Sequence, residues 1–190
     1  MLNRKRIILS TLGVAVAIAF VLTETAGSNR QYQLGGGWIG NNGEGNIWNC
    51  LQIPLDSAGR SDAVRVDFKT YNAAIAGLLS MFGADRMSDF TGEGAMISRD
   101  TAKWTLVGYA QAQGNPPAIQ GIIVVQGTWK YTTRDSALLN YTLYVYPAAA
   151  DVDGDGLPDE GVDPFITIPG AVDTAQRVPL PGTDQCRFRK

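Results

Sequence analysis

Histidine is absent from the 190-residue chain. This absence excludes histidine-based catalytic triads and the usual zinc sites, and it leaves any serine nucleophile without its common base. Charged residues are also few, at 18% of the sequence, and the formal net charge is only −2. The sole basic cluster is Arg4-Lys5-Arg6. Because phosphate binding needs a concentrated positive surface, we expect no nucleic-acid partner.

Cysteine is scarce as well, since the chain has only Cys50 and Cys186. Cys186 lies near the chain end in a polar stretch, where a buried free thiol would be out of place. We therefore predict a disulfide between Cys50 and Cys186, formed in an oxidising compartment. In the chain-entropy model, closing a loop of this length contributes roughly 4–5 kcal/mol.

The sequence has no apolar run long enough to span a bilayer. Its longest apolar stretch, residues 7–22, follows the basic cluster and falls short of the about 20 residues required. Residues 1–26 are therefore predicted to be a signal peptide. An uncleaved N-terminal anchor is the alternative, because Glu24 lies where cleavage after Ala26 would need a small residue. Both readings predict a secreted, periplasmic or cell-surface protein that meets the membrane only through this segment, if it is retained.

The remaining residues, 27–190, are predicted to form one β-rich domain. Glycine is abundant, with 22 residues, and apolar residues alternate with polar ones in runs rich in β-branched and aromatic side chains. Short turns join these runs, which favours an antiparallel meander that forms a barrel or a sandwich. The fold class is therefore all-β. The predicted strands cover residues 47–53, 64–68, 89–98, 102–111, 119–132 and 138–146.

One segment, residues 72–82, lacks this alternation and is apolar nearly all round. It predicts a short helix that covers one end of the sheet structure. Such a helix would either plug the core or act as a lid over a ligand cavity. The tail, residues 169–190, contains Pro179 and Pro181 and is predicted to wrap the surface.

Residues 151–163 form the most informative stretch. They hold six acidic residues in a body that otherwise carries slightly more basic than acidic side chains. Carboxylates this crowded repel one another unless a cation neutralises them. Their spacing follows the calcium-loop template, with acids at positions 1, 3, 5 and 9, glycine at 6 and a backbone carbonyl at 7. These positions fall on Asp151, Asp153, Asp155, Asp159, Gly156 and Leu157.

This loop resembles the calcium loops of EF-hands, dockerin modules and thrombospondin type 3 repeats. The resemblance implies Ca²⁺ as the cofactor. The template has a bidentate acid at position 12, where this chain has Val162, so Glu160 or Asp163 is expected to complete the shell. Pro147 and Pro164 flank the loop in place of helices, which indicates a structural clamp between strands and not a switch. The alternative is a solvated acidic turn without metal.

Gly37-Trp38 in the first part of the domain, together with Arg187 or Arg189 near its end, resembles the lipocalins and similar up-and-down barrels. Those families pair a Gly-x-Trp motif, which is Gly36-Gly37-Trp38 in this sequence, with a late arginine packed over the tryptophan. The resemblance implies a small apolar ligand inside the barrel. The alternative is that Trp38 only caps the core.

Together these features predict an exported, non-catalytic β-domain with a structural calcium site that acts in binding or surface assembly, with an extracellular protein as partner. A lipocalin-like carrier of a small apolar ligand is the first alternative. A small hydrolase that uses paired carboxylates from Glu44, Asp89 or Glu93 is the second. Acids on strand edges are usually only solubilising, so we assign no catalytic residue.

Overall fold

The computed structural model describes residues 35–41, 47–55, 63–70, 74–114, 116–170 and 172–179. These residues all belong to one compact unit. The predicted signal or anchor segment, residues 1–26, lies outside them. No helix within the described ranges is long and apolar enough to cross a membrane.

Strands dominate the described residues, as the alternating runs predicted. The strands are β1 (Gly36–Asn41), β2 (Ile47–Pro54), β3 (Ala63–Thr70), β4 (Arg86–Met87), β5 (Phe90–Met96), β6 (Thr101–Ala112), β7 (Ala118–Thr133), β8 (Ser136–Pro147), β9 (Ile166–Pro169) and β10 (Asp173–Arg177). A helix α1 (Ala74–Met81) follows β3, and a 3₁₀ turn (Ala148–Ala150) follows β8.

The strands form a closed antiparallel barrel of eight strands. Neighbouring strands follow one another in the order β1, β2, β3, β5, β6, β7 and β8, and β10 closes the barrel by pairing with both β8 and β1. The short strands β4 and β9 extend the edges of β6 and β8. The predicted all-β class and antiparallel meander are confirmed, and of the two predicted architectures the chain adopts the barrel.

Inward-facing aromatic side chains fill the barrel. All four tryptophans of the chain are buried in the core. The ring of Trp129 lies 4.9 Å from that of Trp38 and 6.0 Å from that of Trp48, both in edge-on geometry. Rings this large fit because glycines lie beneath them: a Cβ on Gly108, for example, would come within 2.7 Å of the ring of Phe90.

Helix α1 covers one end of the barrel, as predicted for residues 72–82. Leu78 and Leu79 pack against the core, and so does Phe82 directly after the helix. The ring of Phe82 lies beside Gly121 of β7, where a Cβ would be 3.1 Å away. This is the end of the barrel at which β6 and β8 end and β7 begins. The acidic loop, which follows β8, begins at the same end.

Two parts of the sequence interpretation were wrong. No strand was predicted before residue 47, where β1 lies, and the tail beyond residue 169, predicted to wrap the surface, contains the closing strand β10. Tertiary packing explains both. Gly40 of β1 leaves room for the ring of Trp48, and β10 is held by hydrogen-bonded neighbours on both sides. Neither property is visible in local strand propensity.

Candidate metal site

The acidic loop lies between β8 and β9, whose pairing brings its two ends together. The backbone N–H of Asp159 donates to the carbonyl of Ala150 at 2.8 Å, which ties the middle of the loop to the 3₁₀ turn. The hydroxyl of Tyr109, on β6, donates to the carbonyl of Gly156 at 3.1 Å. The loop is therefore anchored to the barrel at its base and near its centre. Tyr109 was not predicted as part of this site, because only the fold brings β6 to the loop.

Two glycines set the course of the loop. Gly154 and Gly156 have φ angles of +78° and +88°, a region that side-chain-bearing residues seldom occupy. Asp151 holds both turns, because its two carboxylate oxygens accept from the N–H groups of Gly154 at 2.8 Å and Gly156 at 3.0 Å. The glycine that the template requires at position 6 is thus explained by backbone geometry.

Three of the predicted ligands converge. Asp151, Asp153 and Asp155 each place a carboxylate oxygen within 4.8 Å of the others. Asp153 and Asp155 also accept backbone N–H groups two residues on, from Asp155 at 3.1 Å and Leu157 at 2.7 Å. These bonds hold both carboxylates close to the backbone of the loop.

The other predicted ligands do not belong to this group of three carboxylates. Asp159 uses Oδ2 to accept the N–H of Val152 at 2.5 Å, a bond across the base of the loop. Glu160 and Asp163 are exposed and do not belong to the group of clustered carboxylates among the described residues. Leu157 contributes its N–H to Asp155, while its side chain is 45% exposed. Completion of a cation shell would therefore need water or movement of one of these acids.

Without a cation, the three carboxylates repel one another, which destabilises this arrangement of the loop. Two unit charges about 5 Å apart repel by ~0.8 kcal/mol in water and by several times that amount near a protein surface. The backbone N–H groups offset only part of this repulsion, because each is a partial charge. A divalent cation would remove it and would take oxygen ligands of this kind. Clustering of the acids, and not any one acid, is therefore the property that favours a metal.

Comparison with protein-family models, with curated proteins and with solved structures finds no significant match.

The predicted disulfide gains no support from the structure. Cys50, on β2, is a free thiol that is only 3% exposed in the core, while Cys186 lies outside the described residues. Burial raises the pKa of the Cys50 thiol to about 12, and the charge of nearby Asp67 adds to the effect. The thiol therefore stays protonated at neutral pH and does not act as a nucleophile.

Trp38 is packed beneath an arginine, Arg177, that the sequence analysis did not name. The guanidinium of Arg177, at the end of β10, lies 4.4 Å from the Trp38 ring centroid, and its Nη1 donates to the carbonyl of Gly35 at 2.8 Å. Arg187 and Arg189 lie outside the described residues. Arg177 was not among the predicted residues, because β10 was not recognised as a strand. A basic residue at the end of that short alternating run was the available signal.

The barrel interior contains a very small cavity. Its volume is about 10 Å³, and its walls include Cys50, Gln52, Trp104 and Trp129. This is about the space that one water molecule requires. A pocket for a small organic ligand is typically about 300–1,000 Å³. The core described here therefore has no cavity large enough for such a ligand, which could enter only if aromatic side chains moved.

The carboxylates considered for a hydrolase have different surroundings in the structure. Asp89 pairs with Lys69 at 2.7 Å on the surface. Glu93 is exposed on the outer face of β5, opposite Arg65 of β3 in the strand register. Glu44 lies outside the described residues. The described pair therefore lies on the surface of the barrel, where such acids are ordinarily solubilising.

Proposed function

We propose that residues 151–163 bind Ca²⁺ and that the ion fixes this end of an exported, non-catalytic β-barrel that acts in binding or surface assembly. The observation that carries the proposal is the convergence of Asp151, Asp153 and Asp155 within 4.8 Å. These acids supply hard oxygen ligands, and the backbone carbonyl of Leu157 and an oxygen from Asp159, Glu160 or Asp163 complete the shell with water. Oxygen-only coordination of this kind suits Ca²⁺, which tolerates irregular shells.

A cation in this position would act on stability through the loop's anchors. It draws the acidic side chains together, and the loop is already tied to the barrel through Tyr109 and Ala150. Binding to the folded state alone stabilises that state by an amount that grows with ion concentration, about 2.7 kcal/mol at a hundredfold excess over the dissociation constant. Magnesium should stabilise less, because it is smaller and sheds water reluctantly.

The test is thermal unfolding in calcium, in magnesium and in chelator. We expect calcium to raise the melting temperature of the wild type, and Asp153→Ala/Asp155→Ala to abolish the rise. Asp89→Ala/Glu93→Ala is the matched control, since it also removes two exposed carboxylates but leaves the loop intact. If calcium up to millimolar concentration leaves the wild-type melting temperature unchanged, the loop is a solvated acidic turn.

A lipocalin-like carrier is the second candidate, and the pairing of Trp38 with Arg177 favours it. Such pairing matches what the resemblance to up-and-down barrels implied. The packed core argues against it, because a ligand would have to displace aromatic rings or helix α1. Titration with an apolar anilinonaphthalene dye, followed by dye and tryptophan fluorescence, tests this reading. Saturable one-to-one binding would favour the carrier, whereas no binding by the folded protein would exclude it.

A further inference from the structure

Strand β2 places its aliphatic side chains outside the barrel and an amide inside. Ile47, Leu51 and Ile53 are 52%, 48% and 42% exposed, whereas Gln52 is 4% exposed. The buried amide is satisfied, because Gln52 Oε1 accepts the N–H of Gly35 at 3.1 Å. A barrel strand with one wet face ordinarily places its apolar residues inward. The outward aliphatic residues of β2 are therefore typical of a strand that is covered on both faces.

These side chains belong to a continuous surface, which we call the outer aliphatic patch. Leu51 is in register with Gly37 of β1, whose carbonyl accepts the N–H of Val178 at 2.8 Å. Leu51 and Val178 therefore flank Gly37, which has no side chain to separate them. The patch consists of Ile39, Leu51, Ile53, Leu55 and Val178, which are 50%, 48%, 42%, 51% and 41% exposed.

The patch ends at β3, where the outward side chains are charged. Arg65 and Asp67 occupy neighbouring outward positions opposite Ile53 and Leu51. They pair with each other at 3.2 Å, and both remain partly exposed. Opposite Leu51 and Ile53, the edge of the patch thus carries one charge of each sign.

The size of the patch bears on what covers it. Five half-exposed aliphatic side chains present roughly 300–600 Å², which is the range of the largest apolar patch on a typical monomer and is often functional. A stable protein interface buries about 800 Å² on each partner. The patch therefore suits the apolar centre of such an interface, and the polar and charged rim would supply the remaining area.

We propose that the outer aliphatic patch is the interface of a homodimer. The strands that carry it are hydrogen-bonded on both sides within the closed barrel, so a partner docks through side chains and does not add a strand. A two-fold contact requires a self-complementary surface. The patch meets this requirement, because apolar area faces apolar area and Arg65 can meet Asp67 of the partner subunit. A partner with strong charge of one sign would not be attracted by Arg65 and Asp67, because their charges are opposite.

The test measures the mass of the protein, expressed from the full-length gene, by light scattering and sedimentation at ~10–100 μM, a range in which an interface with a micromolar or tighter dissociation constant is populated. We expect a dimer for the wild type and a monomer for Leu51→Lys and for Ile39→Lys. Ile97→Lys is the control, since Ile97 is 62% exposed but lies on the turn after β5, outside the patch. It should remain a dimer. Thermal unfolding checks that each variant is folded.

Charge exchange gives an independent readout that does not depend on the apolar residues. Arg65→Asp should weaken the dimer by at least tenfold, and Arg65→Asp/Asp67→Arg should restore it, because the exchanged pair is again complementary. A wild type that is monomeric at 100 μM would overturn the proposal, and so would a dimer that Leu51→Lys leaves intact. A monomer whose patch is nevertheless protected from surface labelling would also overturn it, because another segment or molecule would then cover these residues.

Discussion

The indole of Trp104 lies across Gly127, its register partner on the neighbouring strand. A Cβ on Gly127 would come within 2.9 Å of Trp104 Cζ2 and of Tyr141 Cβ, and it would also collide with the carbonyl oxygen of Asn140. On the other side of Trp104, Gly94 is its register partner on β5, where a Cβ would be 3.1 Å from Trp104 Cβ. The Trp104 side chain thus occupies space that two glycines leave open.

This relationship predicts that Gly127→Ala is strongly destabilising. The new methyl group meets backbone as well as rings, so relief would require a shift of β8, and overpacking of this kind typically costs about 1–3 kcal/mol. Urea unfolding followed by tryptophan fluorescence measures the loss. Gly77→Ala is the matched control, because nothing lies within 4 Å of that Cβ in helix α1. It should be neutral or stabilising by up to ~1 kcal/mol, and equal effects of the two substitutions would contradict the packing argument.

A second prediction concerns the arginine over Trp38. Arg177 combines ring stacking with its hydrogen bond to Gly35, and it also contacts the Arg134 carbonyl and the Asp135 carboxylate. Arg177→Lys keeps the charge but loses the planar guanidinium group, so we expect the free energy of unfolding to fall by about 1–3 kcal/mol. Arg177→Met should lose at least as much.

The control for this prediction is Arg86→Met, at an exposed position on β4. It should change the free energy of unfolding by less than about 0.5 kcal/mol. If Arg177→Lys is equally mild, Trp38 is held by core packing alone and the arginine is incidental.

A third prediction concerns the thiol of Cys50. Because the group is buried and its pKa is raised to about 12, native protein at pH 8 should not react with a thiol reagent at this position. Unfolding in the presence of reductant should make it fully reactive. Rapid labelling of Cys50 in the native state, mapped by peptide mass, would contradict its burial. The same labelling of unfolded but unreduced protein should also modify Cys50, because the structure shows it as a free thiol.

The sequence predicted the central strands well because β2, β3 and β5 to β8 alternate in the chain itself. Strand β1 was missed because three of its six residues are glycines, which obscure the alternation, and β10 was missed because it is short and pairs only with strands far away in sequence. The trio Asp151, Asp153 and Asp155 was found from spacing alone, since a tight turn converts that spacing into proximity. Arg177, Tyr109 and Asp173 could not be found in this way, because each contacts residues that are far away in the sequence.

Asp173 provides the last prediction, which concerns pH. It is 3% exposed at the start of β10, and its Oδ2 accepts from Trp48 Nε1 at 2.7 Å. Burial raises the pKa of this carboxyl, and hydrogen bonds from Trp48 and Tyr141 offset the rise only in part. In the unfolded chain the pKa returns to about 3.9. The folded state therefore holds the proton more tightly, so Asp173 stabilises the fold fully below this value and loses that contribution as pH rises through the folded pKa.

Asp173→Asn removes the titration but can still accept from Trp48, so it isolates this effect. The free energy of unfolding of the wild type minus that of Asp173→Asn should fall as pH rises from about 3.5 to 7, because the unfolded state releases the proton first. Urea unfolding at each pH measures the difference, in which the other carboxylates cancel. A difference for Asp173→Asn that rises with pH would show that Asp173 is stabilised as the ion, and that its bonds to Trp48 and Tyr141 outweigh its burial.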